Sequence, residues 1–371
     1  MDVTDRTSLA AQRQARQLAF VQGGGQLRLG SLEGLPWRAA DLQGLRGDEP
    51  WVVQRYDGGL TAEVYVLHDG ARRWTLKRAR RPARVRNVDG QTSFLNEVQR
   101  RVDLERLKRQ PGGPERWRAI VDTRYASFRE GLIVSPWIDG EPVAQWGPRQ
   151  IGQLLEAACQ LWCEGLFEWD YSPGNMLDDG RQVWLFDFGY LYAFDPRRQF
   201  NTAGRGDDQP MFHPAERFET RAFSAWLLQV QARDGEAAAL AAFRLEKEIA
   251  LDAYGRMRAT IASRGACAQV LDWLDGVQAR WRQALRGGDA QALFLAESWR
   301  SHLLDVDDDL SGQSCTPLTL QRLAWLCEAV EQRHADLRAA GALFWGDEHK
   351  SRARLAQELA ERHARALAYQ L

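Results

Sequence analysis

"EGLFEWDYSPGNMLDDGRQVWLFDFGYLYAFD" runs from Glu164 to Asp195. It holds acids where a soluble core tolerates few: Asp170, Asp178 or Asp179, and Asp187. Asp187 lies inside the apolar run Val183 to Gly189. A carboxylate at a strand end can hold a divalent cation between phosphate oxygens, and a glycine after it lets the backbone turn sharply. Asp170 and Asn175 have the spacing Asp-x-x-x-x-Asn, with Pro173-Gly174 tightening the loop between them. Such a loop can present a base for a hydroxyl proton and a second, neutral metal ligand.

Upstream, "WVVQRYDGGLTAEVYVLHDGARRWTLKRA" (51–79) has two alternating segments around Gly58-Gly59 and a turn at Asp69-Gly70, which predicts strands. A Gly58-Gly59 turn can lay backbone N–H groups over phosphates. Lys77 ends the strand Arg72 to Lys77, and Glu97 follows twenty residues later. Residues 91–109 space Phe94, Val98, Val102 and Leu104 or Leu107 as a helix does. An ion pair between Lys77 and Glu97 would hold the ammonium where it neutralises phosphate charge.

These motifs, over about residues 51 to 220, resemble those of the protein-kinase-like superfamily in order and spacing. On that resemblance Gly58-Gly59 corresponds to the glycine-rich loop, Lys77 to the strand lysine and Glu97 to its helix partner. Ser135 to Pro142, with Ser135 and Trp137, resembles the hinge that receives adenine. Asp170 corresponds to the catalytic base, Asn175 and Asp187 to the metal ligands, and Glu216 in "HPAERF" to the motif closing the activation segment. The resemblance implies an α+β, two-lobed fold that moves the γ-phosphoryl of ATP to a hydroxyl with Mg2+. Its domain reading is an N-terminal extension (1–50), an N-lobe (51–138), a C-lobe (139–289) and a helical C-terminal extension (290–371). Residues from about 290 are expected to pack on the C-lobe, because Leu318, Leu320, Leu323 and Leu326 need cover.

Departures from the family pattern bear on the acceptor. Ala62 and Glu63 stand in the glycine-rich loop, and with Pro173-Gly174-Asn175 they resemble small-molecule phosphotransferases such as aminoglycoside and choline kinases. Only 33 residues separate Trp137 from Asp170, a compact spacing that resembles protein kinases and bacterial sugar or lipopolysaccharide kinases. Glu168-Trp169 replaces the usual His-Arg before the base, so switching by activation-loop phosphorylation is not expected. Three readings follow: a protein Ser/Thr kinase, a small-molecule or glycan kinase, and a nucleotide-binding scaffold without catalysis. The intact Lys77, Asp170, Asn175 and Asp187 weigh against the third. "NTAGRGDDQPMF" (201–212), polar and glycine-rich, suits a mobile substrate loop.

The rest of the chain narrows the class further. Acids and bases nearly cancel at 50 and 49 over 371 residues, so net charge points to no nucleic-acid partner. The 44% hydrophobic content suits a sizeable core. Five cysteines without a Cys-x-x-Cys pair argue against zinc and a disulfide framework. The N-terminus has no apolar core of signal-peptide length and no apolar run approaches bilayer-spanning length, which predicts a cytoplasmic protein or one exported by a route without a cleavable signal. "DVDDDLSGQSCTPL" (305–318) mimics a calcium loop but has Leu318 where a bidentate Glu is required, so it reads as a solvated acidic inter-helix loop. His213 reads as a packed residue, and the Arg- and Ala-rich final helix as a solvated face.

Overall fold

The structure, a computed structural model, describes residues 3–203 and 212–371; of residues 3–9 only the backbone is described. Residues 204–211, most of the polar stretch read as a substrate loop, lie outside the described residues. The fold is mixed α/β and divides into two compact units. One comprises residues 1–143 and 174–192, the other residues 144–173 and 193–371.

The first unit contains α1 (Val3–Gln22), β1 (Arg28–Gly30), α2 (Ala39–Gln43), β2 (Val52–Tyr56), β3 (Ala62–His68) and β4 (Arg73–Ala79). It continues with α3 (Val88–Lys108), α4 (Gly113–Arg116), β5 (Tyr125–Ser127), β6 (Leu132–Pro136) and β7 (Glu141–Pro142). Six strands form an antiparallel sheet in the order β1-β5-β6-β4-β3-β2. Side chains alternate across it. Trp74 and Leu76 of β4 join Trp37, Leu42 and Leu45 in a core on one face. Ile133 joins Phe94 and Val98 of α3 on the other. Lys77, directly opposite Ile133, therefore belongs to the α3 face. Asn87 caps α3 by accepting the Gly90 N–H at 2.7 Å, which starts the helix three residues earlier than apolar spacing predicts.

The chain passes through the second unit as α5 (Pro148–Cys163) and β8 (Leu166–Glu168), then supplies β9 (Met176–Asp178) and β10 (Val183–Leu185) to the first. These two strands form a small antiparallel sheet with β7. After β11 (Leu191–Ala193) come α6 (Pro214–Phe218), a π-helical turn (Glu219–Phe223) and α7 (Ser224–Asp234). The helices α8 (Glu236–Ser263), α9 (Ala268–Gly287), α10 (Ala290–Gly312), α11 (Pro317–Ala339) and α12 (Arg352–Ala368) complete the second unit.

Two features of the second unit bear on the sequence reading. The acidic stretch read as an inter-helix loop is instead helical, because α10 runs through to Gly312. Each of its acids has a partner: Asp305 and Arg322 at 2.8 Å, Asp307 and Arg362 at 2.9 Å, Asp308 and Arg217 at 3.1 Å, Asp309 and Thr319 at 2.5 Å. With three of the four acids paired to arginines, a run of like charge can continue a helix. The unit also buries Lys247 of α8 among Glu219, Glu246 at 3.3 Å and Glu297 at 2.5 Å, while Arg300 meets Glu219 at 2.6 Å.

Candidate active site

Lys77 sits on the α3 face of β4, and Glu97 lies on α3 one turn beyond the buried Phe94. The Lys77 ammonium donates to Glu97 Oε2 at 2.6 Å and to Asp187 Oδ2 at 2.8 Å. Lys77 and Glu97 are buried, with side chains 8% and 2% exposed, and Asp187 keeps 27% of its side-chain surface open. Burial pushes the Lys77 pKa down, but Asp187 and Glu97 more than reverse this and keep the ammonium charged. Burial likewise pushes the Asp187 carboxyl up; Lys77 and the Gly189 N–H more than offset that and hold it below the usual carboxylate range. That N–H reaches Asp187 Oδ1 at 3.1 Å, which fixes the carboxylate plane just past the strand.

Asn175 and Asp187 are placed by one hairpin. Met176 pairs with Leu185 in the β9–β10 ladder, and the Phe186 N–H donates to the Asn175 carbonyl at 3.4 Å. The two intervening acids act on the turn itself. Asp178 accepts from Gly180 N–H at 2.9 Å, and Asp179 accepts from Arg181 and Gln182 at 2.8 and 2.7 Å. The crowding of acids noted in the sequence is therefore two turn caps between two candidate functional groups.

Gly58 and Gly59 lie in the turn between β2 and β3. A Cβ at Gly59 would come within 2.3 Å of the Ala62 carbonyl, so only glycine fits there. Arg80 donates to the Gly59 carbonyl at 2.9 Å and to the Asp57 carbonyl at 2.9 Å, which pins the turn from beneath. Trp137 follows β6, with its N–H on the Arg73 carbonyl at 3.2 Å. Ser135 points its hydroxyl into the unit, where Arg101 donates to it at 3.0 Å.

Arg101 went unnoticed in the sequence and organises this side of the site. It is buried one turn beyond Glu97. Its guanidinium donates to Glu97 Oε1 at 3.0 and 2.9 Å, to Thr123 Oγ1 at 3.1 Å and to the Phe186 carbonyl at 2.6 Å. Glu97 is thus shared between one lysine and one arginine. Asn96, also missed, donates to the carbonyls of Phe188, Gly189 and Leu191 at 3.3, 3.0 and 2.9 Å, holding the backbone after Asp187 against α3. The signal available in sequence was polar residues at helical spacing on a face that should be apolar.

Asp170 belongs to the second unit and has its own set of contacts. Its N–H donates to Glu168 Oε1 at 2.8 Å, and its Oδ1 accepts from the Ser172 N–H at 3.2 Å and from Arg221 Nε at 3.1 Å. Glu216 is fully buried and accepts from the Thr220 hydroxyl at 2.6 Å. His213 caps α6 and is buried against Tyr254, with Nδ1 2.7 Å from the tyrosine hydroxyl. Burial, with Arg300 and Lys247 nearby, pushes its pKa well down and keeps it neutral. Among the described residues no three His, Cys, Asp or Glu side chains gather as a metal cluster, and no helix is long and apolar enough to cross a membrane.

No family model matches the chain, and no curated protein matches it. Among solved structures the chain is similar to the kinase domain of PknI from M. tuberculosis, at 16% identity and a TM-score of 0.31, over 62% of this chain and 94% of that one. A second structure of that domain, carrying a cysteine-to-alanine substitution, matches with the same identity and coverage and a TM-score of 0.32.

Proposed function

We propose that this chain is an ATP-dependent phosphotransferase of the protein-kinase-like kind, two-lobed with a helical C-terminal extension, that moves the γ-phosphoryl group to a hydroxyl, first of all a protein Ser or Thr. The observation that carries the reading is Lys77, buried between Glu97 at 2.6 Å and Asp187 at 2.8 Å. A buried ammonium held by two carboxylates from separate elements is costly to assemble for stability alone. It suits a cation that must meet phosphate oxygens in a fixed place.

Asp187 and Asn175 offer hard oxygen donors from one hairpin, a set that fits magnesium, which keeps several waters and phosphate oxygens as its other ligands. When bound, the metal neutralises charge on the β- and γ-phosphates. Lys77 then supports the phosphates, Glu97 keeps Lys77 extended, and the Gly58-Gly59 turn supplies backbone N–H groups. Ser135 and Trp137 mark the strand end that receives adenine. Asp170 accepts the acceptor's hydroxyl proton as its oxygen bonds to the γ-phosphorus and the bond to the β–γ bridging oxygen breaks, releasing ADP.

The test has two stages. ATP with magnesium should raise the melting temperature by mass action, and γ-labelled ATP should then label casein or the chain itself. Asp187→Ala should lose the magnesium-dependent shift, while Asp170→Asn should keep it and lose all but a residual rate of transfer. No shift at millimolar ATP and magnesium would remove the nucleotide site. Labelling of sugars or lipopolysaccharide in preference to protein would move the acceptor class and leave the reaction type standing.

A further inference from the structure

The carboxylate of Asp170 is held by a two-rung ladder that ends in the C-terminal helices. Arg217 and Arg221 lie four residues apart on the helical stretch from Pro214 to Phe223, so both point the same way. Asp305 and Asp308 lie three apart on α10, again on one face. In the first rung, Arg217 donates from Nε to the Trp169 carbonyl at 3.1 Å and from Nη2 to Asp308 at 3.1 Å. In the second, Arg221 donates from Nε to Asp170 Oδ1 at 3.1 Å and from Nη1 to Asp305. Asp305 is itself fixed from α11, where Arg322 Nε lies 2.8 Å from its other oxygen. Arg322 is fully buried and anchored to the Thr220 carbonyl at 2.9 Å and the Ser224 hydroxyl at 2.8 Å.

We infer that Arg221, oriented by Asp305, is a positioning residue for Asp170, and that α10 is thereby part of the support of the candidate base. A carboxylate at the end of a loop keeps rotational freedom about its side-chain bonds, and transfer needs one orientation. The Ser172 N–H fixes Oδ1 from the loop, and the guanidinium fixes it from outside. Arg221 can do so because its fork is planar and its second arm is already committed to Asp305. Asp305 is only 7% exposed and spans two arginines, so it is not free to follow solvent. The parallel rung through Arg217 holds the backbone one residue earlier, so carbonyl and carboxylate are restrained together.

This inference rests on the phosphotransferase reading, and the experiment separates the two. Turnover of γ-labelled ATP with magnesium is measured in the full chain, with water and casein as acceptors, alongside the melting temperature. Arg221→Gln should lower kcat about tenfold or more with the KM for ATP changed less than about twofold, as expected when orientation rather than binding is lost. Arg221→Lys should recover part of the rate, and Asp305→Asn should lose rate in the same sense. Adding Arg221→Gln to Asp170→Asn should cost nothing further, because the arginine acts through that carboxylate. An unchanged kcat in Arg221→Gln, or losses that multiply in the double variant, would overturn the inference. If Arg221→Gln melts below the assay temperature, Arg221→Lys and Asp305→Asn are held to the same criteria. A wild-type chain without magnesium-dependent turnover sinks the phosphotransferase reading itself, and the inference with it.

Discussion

Glu97 carries two cations on its two oxygens, and that division sets what a substitution at Arg101 would do. Removing Arg101 leaves Glu97 facing Lys77 alone and strips partners from Ser135, Thr123 and the Phe186 carbonyl, all at buried or half-buried positions. Breaking one side of a buried ion pair costs about 3–5 kcal/mol. Arg101→Met should therefore cost stability of that order by denaturant melts, and Arg101→Lys should recover little, since a point charge cannot serve four acceptors at fixed angles. A loss under about 1 kcal/mol would mean the guanidinium is not organising this face. Glu246 offers a second test, through pH. Burial pushes its pKa up to about 7, with Lys247 pulling the other way. Burial pushes Glu219 up as well, but Glu219 meets both Lys247 and Arg300, whereas Glu246 has only Lys247 at 3.3 Å, so of the carboxylates around these two buried cations Glu246 is the one best accommodated as the neutral acid. A carboxyl whose folded pKa lies above its unfolded value near 4.3 gives stability that is full below about pH 4.3 and is lost as pH rises through about 7. Glu246→Gln is neutral at every pH, so its melting temperature minus that of the wild type should grow between about pH 5 and pH 8. A constant difference across that range would show that Glu246 stays ionised.

At the scale of elements, α3 and α10 show what the sequence discloses and what it hides. The strands at 52–79, the α3 helix and the helical character of the C-terminal region are legible from alternation and helical spacing, because burial of one face leaves a period in the apolar residues, whereas β9, only three residues long, carries no period to read. Lys77, Glu97 and Asp187 are legible because each breaks such a period with a charge. The acids of α10 are misread because a run of Asp in isolation disfavours helix, and the arginines that neutralise it come from positions 217, 221, 322 and 362. The same holds for α1, whose polar sequence gives no hint of what it touches. Gln17 of α1 is buried, accepts from the Thr92 hydroxyl at 3.2 Å and donates to Asn96 Oδ1 at 3.4 Å, while Arg13 donates to Asp89 at 2.9 Å. Asn96 in turn holds the three carbonyls after Asp187. Asn96→Ala should thus cost about 1–3 kcal/mol, the range for leaving buried polar partners unmet, and should speed amide exchange through residues 188–192. Exchange there at the wild-type rate would detach α3 from that segment.

For the molecule as a whole, the question is whether residues beyond Gly288 can be removed. Several ion pairs and hydrogen bonds of the second unit join that region to earlier residues: Glu297 to Lys247, Arg300 to Glu219, Asp305 to Arg221, and Arg322 to the Thr220 carbonyl and Ser224. A cut there would leave Lys247, Glu219 and Arg221 with part of their charge unpaired in what had been interior. It would also uncover the side of the core that Leu293, Phe294 and Trp299 close, with Phe294 packed on Phe243 at a 5.2 Å ring separation. Desolvated charges without partners and a bared aromatic surface each cost several kcal/mol, against a total stability of about 5–15 kcal/mol for a domain. A chain ending at Gly288 should therefore be insoluble or melt far below the full chain, and adding residues 289–371 as a separate polypeptide should not restore it once aggregated. The region is also where the Arg221–Asp305 contact arises, so loss of folding and loss of turnover should come together in truncations and apart in Asp305→Asn. A soluble 1–288 fragment with the full chain's melting temperature and ATP response would make the C-terminal helices a free module and their ion pairs dispensable.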